Sequence, residues 1–262
     1  MKKWVIGNWK LQGSRSFLRS YFAEFAESAQ ASAEKFLAGG VQLAICPPAS
    51  YLSEAVSVIA DLSEPWSERV LIGAQNIAEY GEGAYTGEVA ADMVKDCGAA
   101  IALVGHSERR QLFGETDAQV AQKMRQAFAA ELVPVLCVGE SLQERESERT
   151  LLIIEQQLKQ ACANLSSDQW ARLVIAYEPV WAIGTGLTAT PEQAQEVHAF
   201  IRAQCAQMQS RSVVRVPLLY GGSVKGGNAQ SLLTQVDVDG VLVGGASLKA
   251  SEFAQILAAS WG

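Results

Sequence analysis

The strongest constraint on this chain is an alternation. Eight short apolar runs, at 4–8, 42–46, 70–74, 101–105, 133–138, 173–178, 216–220 and 240–243, are separated by longer amphipathic segments. Most of the runs are continuously apolar, the pattern of parallel strands buried on both faces. Between them, apolar residues recur at helical spacing. Val120, Met124 and Phe128 form one stripe; Leu151, Ile154, Leu158, Ala161 and Leu165 another; Ala194, Val197, Ile201 and Cys205 a third. Helix starts are also written in. Thr116 with Gln119 reads as a capping box, and Thr190-Pro191-Glu192-Gln193 as an N-cap, a first-turn proline and a capping partner. Ser50 is the expected cap of a helix over 51–59.

Eight strand-then-helix units leave two architectures, a closed (β/α)8 barrel or a doubly wound open sheet. No G-x-G-x-x-G follows the first strand, and 262 residues is close to the roughly 250 typical of the barrel. The expectation is an α/β fold, a closed (β/α)8 barrel of eight parallel strands ringed by helices, with residues 1–262 as one domain. No low-complexity linker divides it. Such barrels do their chemistry just after the strand C-termini, so candidate residues belong there.

Charge and cysteine usage narrow the partners. With 28 acidic against 21 basic residues the formal charge is −7, and no Lys/Arg run supplies a patch for nucleic acid or an anionic membrane. An anionic substrate must then be held by local dipoles and one or two placed cations. The five cysteines are odd in number and form no CxxC pair, as expected of packing thiols in a reducing compartment. The basic start has no apolar stretch of signal-peptide length, and nothing approaches the roughly 18 apolar residues of a membrane span. A cytoplasmic protein is expected.

At the strand ends, the first run gives way to Asn8-Trp9-Lys10 and the fourth to His106-Ser107-Glu108-Arg109-Arg110. His106 ends an apolar run and opens a segment able to start a helix, whose amides disfavour a charged ring. The other histidine, His198, falls on the polar side of a helical stripe and reads as a surface residue. The sixth run ends on Glu178, flanked by Tyr177 and the segment Pro179 to Gly186, rich in small residues and able to close as a lid. A carboxylate among apolar groups gains proton affinity when water leaves, as a general base needs. The last two runs are followed by Tyr220-Gly221-Gly222-Ser223-Val224 and Gly244-Gly245-Ala246-Ser247. Two glycine-rich loops after the last two barrel strands suit phosphate binding by main-chain amides. One lysine, one histidine, one glutamate and a phosphate cradle, with no metal-ligand spacing and no serine nucleophile, suit proton transfer beside a carbonyl without a cofactor or metal.

These motifs, with Ala74-Gln75-Asn76 and Tyr85-Thr86-Gly87-Glu88, closely resemble the triosephosphate isomerase family over essentially the whole chain. The resemblance implies the TIM barrel fold and the interconversion of dihydroxyacetone phosphate and D-glyceraldehyde 3-phosphate, a step of glycolysis and gluconeogenesis. It implies Glu178 as base, neutral His106 as electrophile and Lys10 as the fixed positive charge, with Asn8 orienting substrate. Gly184, Ser223, Gly244 and Gly245 would hold the phosphate. Ile183 and Leu242, the latter after the eighth strand, would exclude water from Glu178. Pro179-Val180-Trp181 and Leu187-Thr188-Ala189 would be the lid hinges, with Leu187 standing where many members have lysine. Extra residues at 29–40 and 61–69 lengthen two connections on the far face. The loop from Gln75 to Glu88 would insert into a second subunit, Thr86 near its lysine, to make a homodimer. Two alternatives stand beside this one: a barrel isomerase for a larger sugar or indole phosphate, and a barrel that binds phosphate without catalysis.

Overall fold

The computed structural model describes residues 2–184, 188–209 and 214–261. Its strands are β1 (Lys3–Asn8), β2 (Val41–Cys46), β3 (Val70–Ala74), β4 (Ile101–Val104), β5 (Val133–Val138), β6 (Val174–Tyr177), β7 (Leu218–Tyr220) and β8 (Gly240–Val243). Each pairs in parallel with the next, and β8 pairs with β1, closing the barrel. The apolar runs extended further than the strands in three places. Gly105, at φ 75°, turns the chain out of β4; Glu178 and Val216 lie just beyond β6 and just before β7.

Strand periodicity sorts the core into two parts. Ile6, Ala44, Cys46, Ile101, Leu103, Val135, Cys137, Val174, Ala176, Leu219 and Leu242 cluster inside the barrel. Their neighbours along the strands, among them Val5, Leu43, Ile45, Leu136 and Ile175, join a larger cluster against the helices. The interior is crowded: a Cβ on Gly73 would lie 2.5 Å from Ile101 and 2.6 Å from Cys46. Four cysteines are buried, Cys97 is half-buried, and all five are free.

The expected capping boxes form at Thr116 and Thr190, the latter with proline in the first turn. Ser50 caps nothing. It lies inside a one-turn 3-10 helix, Ala49–Tyr51, set by Pro48, and the helix Leu52–Ala60 starts without a side-chain cap. The lengthened connections are used for packing. Phe36, on the short helix Ala33–Leu37, stacks at 5.3 Å on Trp66 of the helix Trp66–Arg69, and both rings are fully buried. Both connections lead into strand N-termini, away from the strand ends that carry the candidate chemistry. No helix among the described residues is long and apolar enough to cross a membrane.

Candidate active site

A cavity of about 450 Å3 opens at the C-terminal end of the barrel, and all eight residues picked from the sequence line it: Asn8, Lys10, His106, Glu178, Gly184, Ser223, Gly244 and Gly245. Asn8 ends β1 and the others come from loops after β1, β4, β6, β7 and β8, brought together by closure of the sheet.

Lys10 is held in a tight turn. Its φ of 55° is a conformation L-residues seldom adopt, at a cost of order 1–3 kcal/mol. Three contacts fix it. The Lys10 N–H donates to Asn8 Oδ1 at 3.0 Å. Gln75 Nε2 donates to the Lys10 carbonyl at 2.9 Å and to the Cys46 carbonyl at 2.8 Å. Trp9 is buried against Phe17, Tyr21 and Phe22. The ammonium pairs with Glu108, which gives that carboxylate a place in the site. A Cβ on Gly244 would sit 3.3 Å from Lys10 Cε, so the lysine stem runs against the glycine loop after β8.

His106 caps the helix Ser107–Phe113, with Nδ1 accepting the Glu108 N–H at 3.2 Å. An acceptor nitrogen carries no proton, so this is the neutral ring with its hydrogen on Nε2. Nε2 faces Glu178 Oε1 at 3.0 Å. Burial pushes the ring's proton affinity down, and the adjacent Glu178 carboxylate outweighs it and lifts the net value. That lift belongs to the resting pair and lasts only while Glu178 stays beside the ring.

Glu178 is 2% exposed and begins where β6 ends. Its Oε2 accepts the Ser107 N–H at 2.8 Å. Burial alone would raise its proton affinity; His106 and the Ser107 amide outweigh burial and hold it below the usual carboxylate range. The backbone here is pinned by glycine on two sides. A Cβ on Gly139 would fall 1.8 Å from the Glu178 carbonyl oxygen, and one on Gly221 2.9 Å from its Cγ.

The segment expected to form the first lid hinge is tied to a second buried carboxylate. Glu140, fully buried, accepts from Tyr177 Oη at 3.1 Å, Trp181 Nε1 at 2.9 Å and Arg145 at 3.2 Å. The Arg145 guanidinium lies 4.6 Å over the Trp181 ring. Leu187, expected in the trailing hinge, lies outside the described residues, as do Thr185 and Gly186. Leu242 lines the cavity from within β8 itself, one residue before the strand ends, rather than after it. Inside the barrel, burial pushes the Cys137 thiol well up, so it is no nucleophile. Among the described residues no group of three or more His, Cys, Asp or Glu is arranged to hold a metal ion.

His198 corrects the sequence reading. It is fully buried, with Nδ1 2.6 Å from the Ala194 carbonyl and its ring edge-on to Tyr177. The helix Pro191–Met208 presents it to the barrel wall, where one local hydrogen bond lets an otherwise polar position face inward. Sequence reasoning gave Gln75 only a place in the expected dimer loop and assigned no role to Ser107 or Glu140. Gln75 stood in a quoted motif, but its contacts are to main-chain carbonyls, which leave no spacing signature.

A parallel barrel with a basic residue, a neutral imidazole and a buried carboxylate around glycine loops defines a phosphate-binding (β/α)8-barrel isomerase. The triosephosphate isomerase family model matches residues 3–260. Curated triosephosphate isomerases from Thiobacillus denitrificans and Ralstonia nicotianae are 49% identical over 259 residues and 48% identical over 254, covering 99% and 97% of this chain and 98% and 97% of theirs. The crystal structure of triosephosphate isomerase from Bartonella henselae superposes with a TM-score of 0.86 at 35% identity, each chain covered in full. The chain belongs to the triosephosphate isomerase family. Its activity is the interconversion of the two triose phosphates by proton transfer.

Proposed function

We propose that Glu178 is the base of this reaction, with His106 and Lys10 as the groups that stabilise the enediolate. The observation that carries the reading is the placement of Glu178: a fully enclosed carboxylate, touching His106 Nε2, that opens on the same cavity as Lys10 and the glycine loops. At rest the carboxylate is occupied by His106 and the Ser107 amide. Turning into the cavity gives up both contacts in a site from which Ile183 and Leu242 exclude water, so its proton affinity rises where a carbon-bound proton is to be taken. The freed Nε2–H of His106 then donates to the substrate carbonyl and enediolate oxygens. Lys10 supplies positive charge beside the developing oxyanion, and Asn8 orients the substrate. Main-chain amides of Gly184, Ser223, Gly244 and Gly245 bind the phosphate, which also holds the intermediate against phosphate loss. Lys10 and His106 furnish the electrophile, so the reaction needs no metal or cofactor.

The whole chain works as one barrel domain, in the cytoplasm, and pairs with a second copy through the loop from Gln75 to Glu88. Support for pairing comes from exposed apolar groups on one side of the site: Leu11 at 95%, and Tyr80 and Tyr85, stacked on each other at 4.1 Å and 42% and 43% exposed. Shortening the loop across 81–86 should give monomers by sedimentation with sharply reduced activity.

Replacing Glu178 by Asp tests the assignment. Retracting the carboxylate by one methylene should lower kcat on the order of 10²-fold, since proton transfer needs hydrogen-bond reach. Competitive inhibition by inorganic phosphate should stay within twofold. An unchanged kcat with a lower melting temperature would mean that Glu178 is a structural partner of His106.

A further inference from the structure

We infer that Gln157 is a positioning residue for the catalytic centre, acting through Gly139; the inference rests on Glu178 being the base. Gln157 lies on the helix Thr150–Ala161, is 8% exposed and touches neither Lys10 nor His106 nor the glycine loops. Its amide makes two bonds to a single residue. Gly139 N–H donates to Gln157 Oε1 at 2.8 Å, and Gln157 Nε2 donates back to the Gly139 carbonyl at 3.0 Å.

That pair of bonds does the work of a missing strand. The β4–β5 ladder ends at Val104 and Leu136, because Gly105 turns the chain away towards His106. Beyond that point β5 has lost its neighbour on one side, while on the other it still has the chain that carries Glu178: Glu178 N–H donates to the Val138 carbonyl at 2.8 Å, and Val180 N–H to the Glu140 carbonyl at 3.1 Å. Gly139 sits between these two bonds. Its own N–H and C=O point to the vacated side, where the Gln157 amide takes both, as a neighbouring strand would.

Gly139 is also the residue packed so close to Glu178 that a Cβ would fall 1.8 Å from the Glu178 carbonyl oxygen. Any shift of Gly139 is therefore passed to the main chain of Glu178. The next residue, Glu140, holds Trp181 at the lid hinge. One side chain thus sets the height of the base and the anchor of the hinge together. The base must meet a carbon-bound proton within hydrogen-bond reach, and a displacement of about 1 Å can cost 10²-fold in rate. A partial loss of this support should cost about tenfold.

A second cavity of about 320 Å3 borders Gln157, Gly139, Ser141 and Glu178. Water from it can stand in for a truncated side chain, so alanine is a weak test. Gln157→Met keeps the length, fills the space and removes both hydrogen bonds. The expected result is a kcat about tenfold lower with inhibition by inorganic phosphate within twofold of wild type, since three of the four phosphate-binding groups, Ser223, Gly244 and Gly245, follow β7 and β8. Gln157→Glu supplies a second reading. Its carboxylate can accept from Gly139 N–H but opposes the Gly139 carbonyl until it is protonated. The ratio of its kcat to that of wild type should therefore rise as pH falls from 8 to 6.

A wild-type kcat in Gln157→Met with a lowered melting temperature would overturn the inference and leave Gln157 as a helix-to-barrel staple. Should Gln157→Met fail to fold, a kcat ratio for Gln157→Glu that is flat with pH would overturn it equally. Glu178→Gln, measured beside them, separates the two levels. If it keeps its activity, the base assignment fails whatever Gln157 does; if it is inactive while Gln157→Met is normal, only the role of Gln157 falls.

Discussion

Arg202 at one end of the barrel and the cavity groups Lys10 and Glu178 at the other are partnered in different ways. At the strand N-termini, Arg202 is closed in on itself. Its guanidinium pairs with Asp237 and Asp239 at 2.5 Å each and donates to the Val216 and Asp237 carbonyls at 3.0 Å. Asp239 in turn accepts the Leu218 N–H and a bond from Arg215, both at 3.0 Å, and Asp237 exchanges two hydrogen bonds with Gln195. The entries to β7 and β8 are thereby tied into one network. At the strand C-termini the two charged groups that face the cavity are held more loosely than their neighbours: Glu178 by a neutral imidazole and the Ser107 N–H, and Lys10, in a left-handed turn, by a half-exposed Glu108, while Glu140 nearby is closed by three donors. Closed charge holds a fold together; charge left with a weak partner can be handed to a substrate.

Lys10→Met should break the comparison most sharply. It removes the cation proposed to stabilise the developing oxyanion, and kcat/KM should fall on the order of 10³-fold, the upper range for losing one preorganised electrostatic contact. The melting temperature should change little, because methionine keeps the backbone of the turn and the pair lost, with a half-exposed Glu108, contributes little. A lysine variant that lost stability but kept kcat/KM would erase the distinction between the two ends.

Arg202→Leu is the converse. It leaves Asp237 and Asp239 without their main partner, and stability should fall by about 3 kcal/mol, the low end for breaking a buried pair, since Arg202 is one-fifth exposed. Measured on folded protein at 15 °C, kcat should stay within twofold of wild type. A large loss of kcat without unfolding would show that the far end feeds into the chemistry.

Acid titration separates the regions more finely. Asp237 is held below its ordinary 3.8: burial opposes this, and the Gln195 hydrogen bond and Arg202 outweigh it. The unfolded chain then takes up a proton first, so this contribution is present above about pH 4 and is lost as pH falls through the folded value. His198, in the wall between the ends, is lowered from 6.5 by burial. Here too the unfolded chain binds the proton first, so stability declines as pH drops below about 6.5, by at most about 1.4 kcal/mol per pH unit. Urea denaturation at pH 7 and pH 5 should show a smaller drop for His198→Asn than for wild type. An equal drop would place the acid sensitivity elsewhere.

Much of this was legible in the sequence, for physical reasons that differ by region. Buried parallel strands must be apolar throughout, so the barrel announces itself as eight runs, and the residues that line the cavity stand at or just after the ends of those runs. Lys10, His106 and Glu178 are candidates by address as much as by chemistry, and all three line the cavity. What stayed hidden acts through main-chain partners. Gln75 on the Lys10 carbonyl and Gln157 on Gly139 look like any polar residue on a loop or a helix, because their partners carry no side-chain signature. His198 misled for a related reason: one bond to the Ala194 carbonyl, within its own helix, lets a histidine be buried where the stripe pattern reads polar surface. Ser50 failed as a cap because Pro48 begins a 3-10 turn ahead of it, which a residue count cannot reveal.

Isotope entry from solvent tests the role of Glu178 most directly. Dihydroxyacetone phosphate is incubated in D2O with wild-type enzyme and with Glu178→Gln, and the rate at which deuterium enters the carbon-bound positions is followed by NMR. A base that lifts the proton and can exchange it should give steady incorporation with wild type, and a rate lower by at least 10³-fold when the carboxylate becomes an amide of the same size. Deuterium entering at the wild-type rate in folded Glu178→Gln, or triose phosphates interconverting with none entering at all, would contradict it.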